Sequence, residues 1–158
     1  MAQIVTSGVS QKAGRLVFGS GLSGTTVVLP AVAANLALPS VTIPALPSGI
    51  TIDRVIAAIS WRKQVESSAA PNAIDGAQQI QVRSDAPGTF VNAITIGDNS
   101  LDTDVSATEG GSMLLGDSDI SGEVIGADTY EFQWLLAKVD GDSLTLHDVQ
   151  SHLIVEYS

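Results

Sequence analysis

Ser60-Trp61-Arg62-Lys63 has the S-x-x-K spacing in which a lysine, one helical turn from a serine, activates its hydroxyl for acyl transfer. That chemistry needs a helix. The surrounding segment reads as a strand, where positions three apart face opposite ways, and no K-T-G follows. Trp61 is therefore expected in the core, with Arg62 and Lys63 at the wet end of the strand. Gly19-Ser20-Gly21-Leu22-Ser23-Gly24 matches the dinucleotide fingerprint G-x-G-x-x-G. A pyrophosphate site would need a helix to open at the third glycine. Thr25-Thr26-Val27-Val28-Leu29-Pro30 follows instead, and the nearest acid is Asp53. No nucleotide role is expected.

His147 and His152 stand five residues apart with Asp148 between them. Odd spacing along one strand would oppose them, so a metal pair could form only across a turn. Asp98, Asn99, Asp102 and Asp104, or Asp117 with Asp119, could offer oxygen ligands to calcium, but none fits the D-x-[DN]-x-[DN]-G loop. Asp and Asn are also the ordinary turn residues between strands. Gln78, Gln79, Gln81 and Arg83 could line a polar strand face for sugars, given aromatic platforms. Trp61, Phe90, Tyr130, Phe132 and Trp134 all sit in apolar strand patterns, and the core is their expected destination. With no nucleophile, base and orienting acid to assemble, the expectation is a non-enzyme with no cofactor and no metal site.

The elements that would hold these residues are strands. Tyr130-Glu131-Phe132-Gln133-Trp134 puts three aromatics on one face, and Val149, Ser151, Leu153, Val155 and Tyr157 share another. Gln79-Ile80-Gln81-Val82-Arg83 and Ser143-Leu144-Thr145-Leu146 alternate likewise, as half-buried antiparallel strands do. Residues 50–65 are longer and apolar on both faces in the middle, the pattern of a central strand. Pro47-Ser48-Gly49, Pro71-Asn72, Asp75-Gly76, Ala86-Pro87-Gly88, Gly97-Asp98-Asn99, Gly110-Gly111 and Asp140-Gly141-Asp142 separate the runs. Asp140-Gly141 predicts a hairpin and a further strand within 129–156. No window offers a capped helix of three turns. Eight to ten short strands predict an all-β antiparallel jelly roll or β-sandwich.

Composition narrows the classes further. The chain has 158 residues, 44% of them hydrophobic, which is too apolar for disorder. Absent cysteine removes disulfides, thiolate metal sites and a cysteine nucleophile. Seven Lys and Arg against 17 Asp and Glu give −10, which argues against a phosphate-binding surface. The charge is uneven. Residues 1–52 hold Lys12 and Arg15 and no acid, so the remainder carries every acid and a net −12. Lys12, Arg15 and the apolar residues after them loosely imitate a secretory signal, but Gly19, Gly21, Gly24 and Pro30 interrupt it. No stretch approaches the ~20 apolar residues of a membrane span, so a soluble chain is expected.

These features divide the chain into an extended Gly/Pro/Ala-rich arm with short strands, 1–43, and a sandwich domain, 44–158. An uncharged arm suits lying along a protein surface, its own or a neighbour's. Lys12, Arg15, Leu16, Val17, Phe18, Val27, Val28 and Leu29 are the candidate contact residues of that arm.

From about residue 44 onward the chain resembles small virion structural proteins of tailed bacteriophages. The resemblance lies in Leu46-Pro47-Ser48-Gly49-Ile50-Thr51-Ile52-Asp53-Arg54-Val55, in Asp75-Gly76-Ala77-Gln78-Gln79-Ile80-Gln81-Val82-Arg83 and in Ala86-Pro87-Gly88-Thr89-Phe90. Glu109-Gly110-Gly111, Gly116-Asp117, Tyr130-Glu131-Phe132-Gln133-Trp134 and Asp148-Val149-Gln150 complete it. It implies a capsid decoration (cement) protein, a compact β module seated as a homotrimer on the major capsid protein. The implied location is the capsid exterior, after assembly in the host cytoplasm. Neither nucleic acid nor membrane is an expected partner. Another virion part (head–tail, tail or fibre component) and a carbohydrate-binding sandwich are the alternatives.

Overall fold

The computed structural model describes residues 13–21, 24–66, 74–85, 88–97, 108–141 and 143–158. Among them are ten strands and no helix. In chain order these are β1 (Gly14–Gly19), β2 (Val27–Pro30), β3 (Ala34–Ile43), β4 (Ile52–Glu66) and β5 (Gln78–Ser84). Then come β6 (Val91–Ile96), β7 (Thr108–Leu115), β8 (Asp128–Ala137), β9 (Ser143–His147) and β10 (Gln150–Tyr157). Every pairing is antiparallel. The fold is an all-β sandwich of two sheets, as the alternation predicts.

β9 and β10 pair with successive stretches of β4 in one unbroken register, from Leu144↔Glu66 to Glu156↔Arg54. They form a single ribbon, and β1 and β2 follow one another along its far side. Counted as ribbons, the first sheet runs β1/β2, β9/β10, β4, β7, and the second runs β3, β8, β5, β6. The pairs nest in sequence. The first ribbon meets the last, β3 meets β8, β4 meets β7 and β5 meets β6. An eight-ribbon chain that nests in this way and folds over into two sheets has jelly-roll connectivity.

Alternation explains the core. Val55, Ala57, Ile59 and Trp61 of β4 and Leu153 and Val155 of β10 face the same interior as Ile80, Val82, Phe132 and Trp134 of the second sheet. The described part of 1–43 is extended and lies along the chain's own body, with β1 and β2 on one sheet and β3 on the other. Val27, Leu29, Leu38, Val41 and Ile43 are core residues.

Two expectations about turns and faces are corrected. Asp140-Gly141 is a turn, with Gly141 at φ 99°, but it joins β8 to β9 in the opposite sheet and makes no hairpin. Its reversal of direction is local, whereas the choice of sheet follows from burying Leu144 and Leu146 across the core. The strict alternation of β4 and of the β9/β10 ribbon also breaks once. Trp61 and Gln64 are buried, with Arg62 and Lys63 between them more exposed; Leu146 and Val149 are buried, with His147 and Asp148 between them. Asp148 accommodates the break at φ 54°, a conformation Asp tolerates better than most. Arg62 Nε donates to its Oδ2 at 2.5 Å.

Gly116 closes the chain against β4 just beyond β7. Its N–H donates to the Ala57 carbonyl at 2.8 Å. A Cβ there would lie 2.7 Å from the carbonyl oxygens of both Ala57 and Ala93, so no side chain fits.

Candidate functional site

Strand parity sorts the candidate contact residues of the arm. Leu16 and Phe18 pack against the core, and Val27 and Leu29 are buried in it. Arg15, Val17 and Val28 point the other way, onto the outer face of the first sheet. Arg15 Nη2 is tied to Glu156 Oε1 at 2.5 Å, while Val17 is 63% and Val28 47% exposed. Lys12 lies outside the described residues.

That outer face is apolar across its middle. One cross-strand row runs Val17, Ile154, Ile56, and the next runs Gly19, His152, Ala58, Leu115. Met113 stands opposite Ser60 in the row after that. Met113 and Leu115 are 58% and 55% exposed. Ile56 and Ala58 are themselves buried yet lie outside the core cluster. Apolar side chains therefore reach from one edge strand of the sheet, β1, to the other, β7.

Within this face Ser60 Oγ lies 2.9 Å from His152 Nε2, the separation of a nucleophile and its base. The ring packs so closely on Gly19 that a Cβ there would sit 3.1 Å from Nδ1. Burial pushes the His152 imidazole below its ordinary value and favours the neutral ring. Among the described residues no carboxylate bonds to Nδ1, so the orienting acid of a triad is missing. The pairing was not legible in the sequence, because it joins residues 92 positions apart. His147 also lies off the core face, its Nδ1 3.5 Å from Thr26 Oγ1. The expected opposition of the two histidines is thus overturned: the break at Asp148 changes the phase of the ribbon between them.

β4 is extended through Ser60 and Lys63, so the helical turn that the S-x-x-K chemistry needs is absent. The expected opposition of the two is nonetheless corrected, because the break after Arg62 leaves Lys63 off the core face, on the same side as Ser60. Trp61 is buried at 3% exposure with Arg62 exposed, as the strand pattern predicts. Of the calcium candidates, residues 98–104 lie outside the described residues. Asp119 uses Oδ1 to accept the Val55 and Ser121 amides, both at 3.0 Å. The Val55 amide holds its carboxyl below the usual range; partial burial opposes this, and the Ser121 groups and Arg54 reinforce it. Among the described residues no three metal-binding side chains gather. No helix among them is long and apolar enough to cross a membrane.

The outer face of the second sheet is polar. Gln133 Nε2 donates to Gln81 Oε1, and Gln81 Nε2 to Asn92 Oδ1, each at 2.7 Å. The three share a single cross-strand row that ends at Ala37. One row on, Arg83 pairs with Glu131 at 2.5 Å and stacks its guanidinium 4.4 Å from the centre of the Phe90 ring. A groove of about 440 Å³ runs over Gln133, Glu131, Arg83 and Phe90, walled by Asn35 and Ser40 on the β3 side. Two expectations change here. Phe90 lies half-buried at the groove instead of in the core, because it precedes β6 on a loop. Gln78 belongs to the core face, 2% exposed, because alternation places it with Ile80 and Val82.

No family model matches the chain, and no curated protein matches it. Solved structures resemble it, two of them as follows. One is titled "Structure of infectious bursal disease virus Gx strain"; identity is 16% and the TM-score 0.43, over 92% of this chain and 32% of that one. The chain thus spans about a third of the length of that viral chain. The other is a xylan-binding module, CBM15, at 12% identity and a TM-score of 0.36, over 91% of this chain and 97% of that one.

Proposed function

We propose that the protein is a non-enzymatic virion structural subunit, a tailed-bacteriophage capsid decoration (cement) protein that binds the assembled capsid as a homotrimer. The observation that carries this reading is the apolar outer face of the first sheet, exposed at Val17, Met113 and Leu115. Exposed apolar side chains on both edge strands of one sheet face, with apolar residues between them, belong to a contact, since a free monomer gains nothing by wetting them. The β1 edge adds a second means of attachment, because its outward backbone groups can accept a neighbour's strand. Jelly rolls serve viral capsids among other roles, and that part of the support is analogy of fold.

A subunit that binds only the assembled lattice stabilises it by mass action. Three weak contacts made at once become a strong one. Ser60 and His152 act in this reading as polar members of the contact face and not as a catalytic pair.

The experiment is localisation in the particle. Antibody labelling of purified virions, with a native mass of the isolated protein, should place it on the capsid shell as a trimer. A monomer that leaves expanded capsids bare, or a label confined to the tail, would overturn the assignment.

A further inference from the structure

We infer that the groove over the second sheet binds a neutral oligosaccharide, a role separate from the contact face on the first sheet. The side chains specify the class of ligand. Gln133, Gln81 and Asn92 form a hydrogen-bonded amide row. An amide has two N–H donors and two acceptor lone pairs, so Gln133, the member of the row that lines the groove, spends one N–H on Gln81 and has its other N–H and its carbonyl oxygen to offer a ligand. Donors and acceptors in alternation on planar groups match the hydroxyls of a sugar, each of which both donates and accepts. The row is already ordered by its own bonds, so a ligand meets side chains that lose little freedom on binding.

Charge excludes the obvious competitors. The cation of the groove, Arg83, is matched by Glu131 at 2.5 Å, and the chain as a whole carries −10. A phosphate or carboxylate ligand would have to break that pair and approach an acidic protein. A wholly apolar ligand would strip water from the amides and return no hydrogen bonds. Phe90, with the Arg83 guanidinium over one face of its ring, supplies the apolar wall next to the polar floor, against which the C–H groups of a sugar ring can pack. Ala37 and Ser40 are small, and they leave the floor open on the β3 side. The volume, about 440 Å³, falls within the range of small-ligand clefts.

The test uses the full chain on an array of short neutral gluco-, manno- and galacto-oligosaccharides, with sialylated and phosphorylated glycans as anionic arms. Retention of neutral glycans is expected, weakened about tenfold by Phe90→Ala and by Gln133→Ala. Because either variant could lose its fold, the unmodified protein is also titrated with the retained oligosaccharide and followed by amide and side-chain NMR. Shifts should gather at Arg83, Phe90, Glu131 and Gln133. No retention, retention of anionic glycans alone, or shifts gathered on the Val17 face would each overturn the inference. None of these outcomes bears on whether the protein sits on a capsid.

Discussion

The indole Nε1 of Trp134 donates to Gln78 Oε1 across 2.6 Å in the interior of the sandwich, where both side chains are buried. The same oxygen accepts the Lys138 amide at 3.2 Å, and Gln78 Nε2 donates to the carbonyls of Lys138 and Asp75 at 2.5 and 3.2 Å. Both N–H donors and both lone pairs of this amide are used, which is why a glutamine survives in an apolar core. It also ties β8 to the chain leading into β5. Gln78→Leu keeps the size and strands the indole, an amide and two carbonyls, so it should cost about 2–4 kcal/mol. Urea denaturation followed by Trp fluorescence measures this as a lower midpoint at an unchanged slope.

Ser151 presents the reverse case. It is fully buried on the core face of β10, and among the described residues its Oγ has no hydrogen-bond partner. An unpaired buried hydroxyl opposes folding. Ser151→Ala removes it without adding volume and should raise stability by about 1 kcal/mol, read as a higher denaturation midpoint. A loss of stability would show that the hydroxyl has a partner.

The carboxylate of Asp119 gives a pH-dependent prediction. Its pKa in the folded protein lies below the ordinary aspartate value of 3.8, chiefly through the Val55 amide. A depressed pKa means that the unfolded chain takes up the proton first, so the stabilisation is complete above that value. It is lost as pH falls through the folded pKa. Asp119→Ala should therefore lower the melting temperature at neutral pH, and the gap to the parent protein should close in acid below 3.8. Thermal scans across that range test it, and a gap independent of pH would refute it.

The contact face calls for point changes in place of a truncation. Deleting β1 would remove Leu16 and Phe18, which pack against the core, so lost binding would report a damaged core. Val17→Asp and Leu115→Asp alter only outward positions, with Val17 at 63% and Leu115 at 55% exposure. Changes at such surface sites usually shift stability by within about 0.5 kcal/mol, so the fold should hold. Each variant should nonetheless reduce self-association and capsid binding, as measured by native mass and co-sedimentation with expanded capsids. Undiminished binding by both would remove this face from the attachment.

Period-two alternation in the sequence determined the strands and most of their faces. Tyr130, Phe132 and Trp134 point inward together, as do Val55, Ala57, Ile59 and Trp61, because the pleat sends successive side chains to opposite sides whatever the strand pairs with. The same rule, applied to the arm, separates Val17 and Val28 from Leu16, Phe18, Val27 and Leu29. What alternation cannot carry is the partner of each strand. Only the folded chain decided that Asp140-Gly141 crosses between sheets and that β9 and β10 form one ribbon. The paired break at Arg62 and Asp148, which brings His147 and His152 to one side, was decided there too. The amide row of Gln133, Gln81 and Asn92 likewise joins three strands that the sequence keeps apart. Face is a local property of the backbone, whereas pairing is settled by which apolar rows can bury one another across the core.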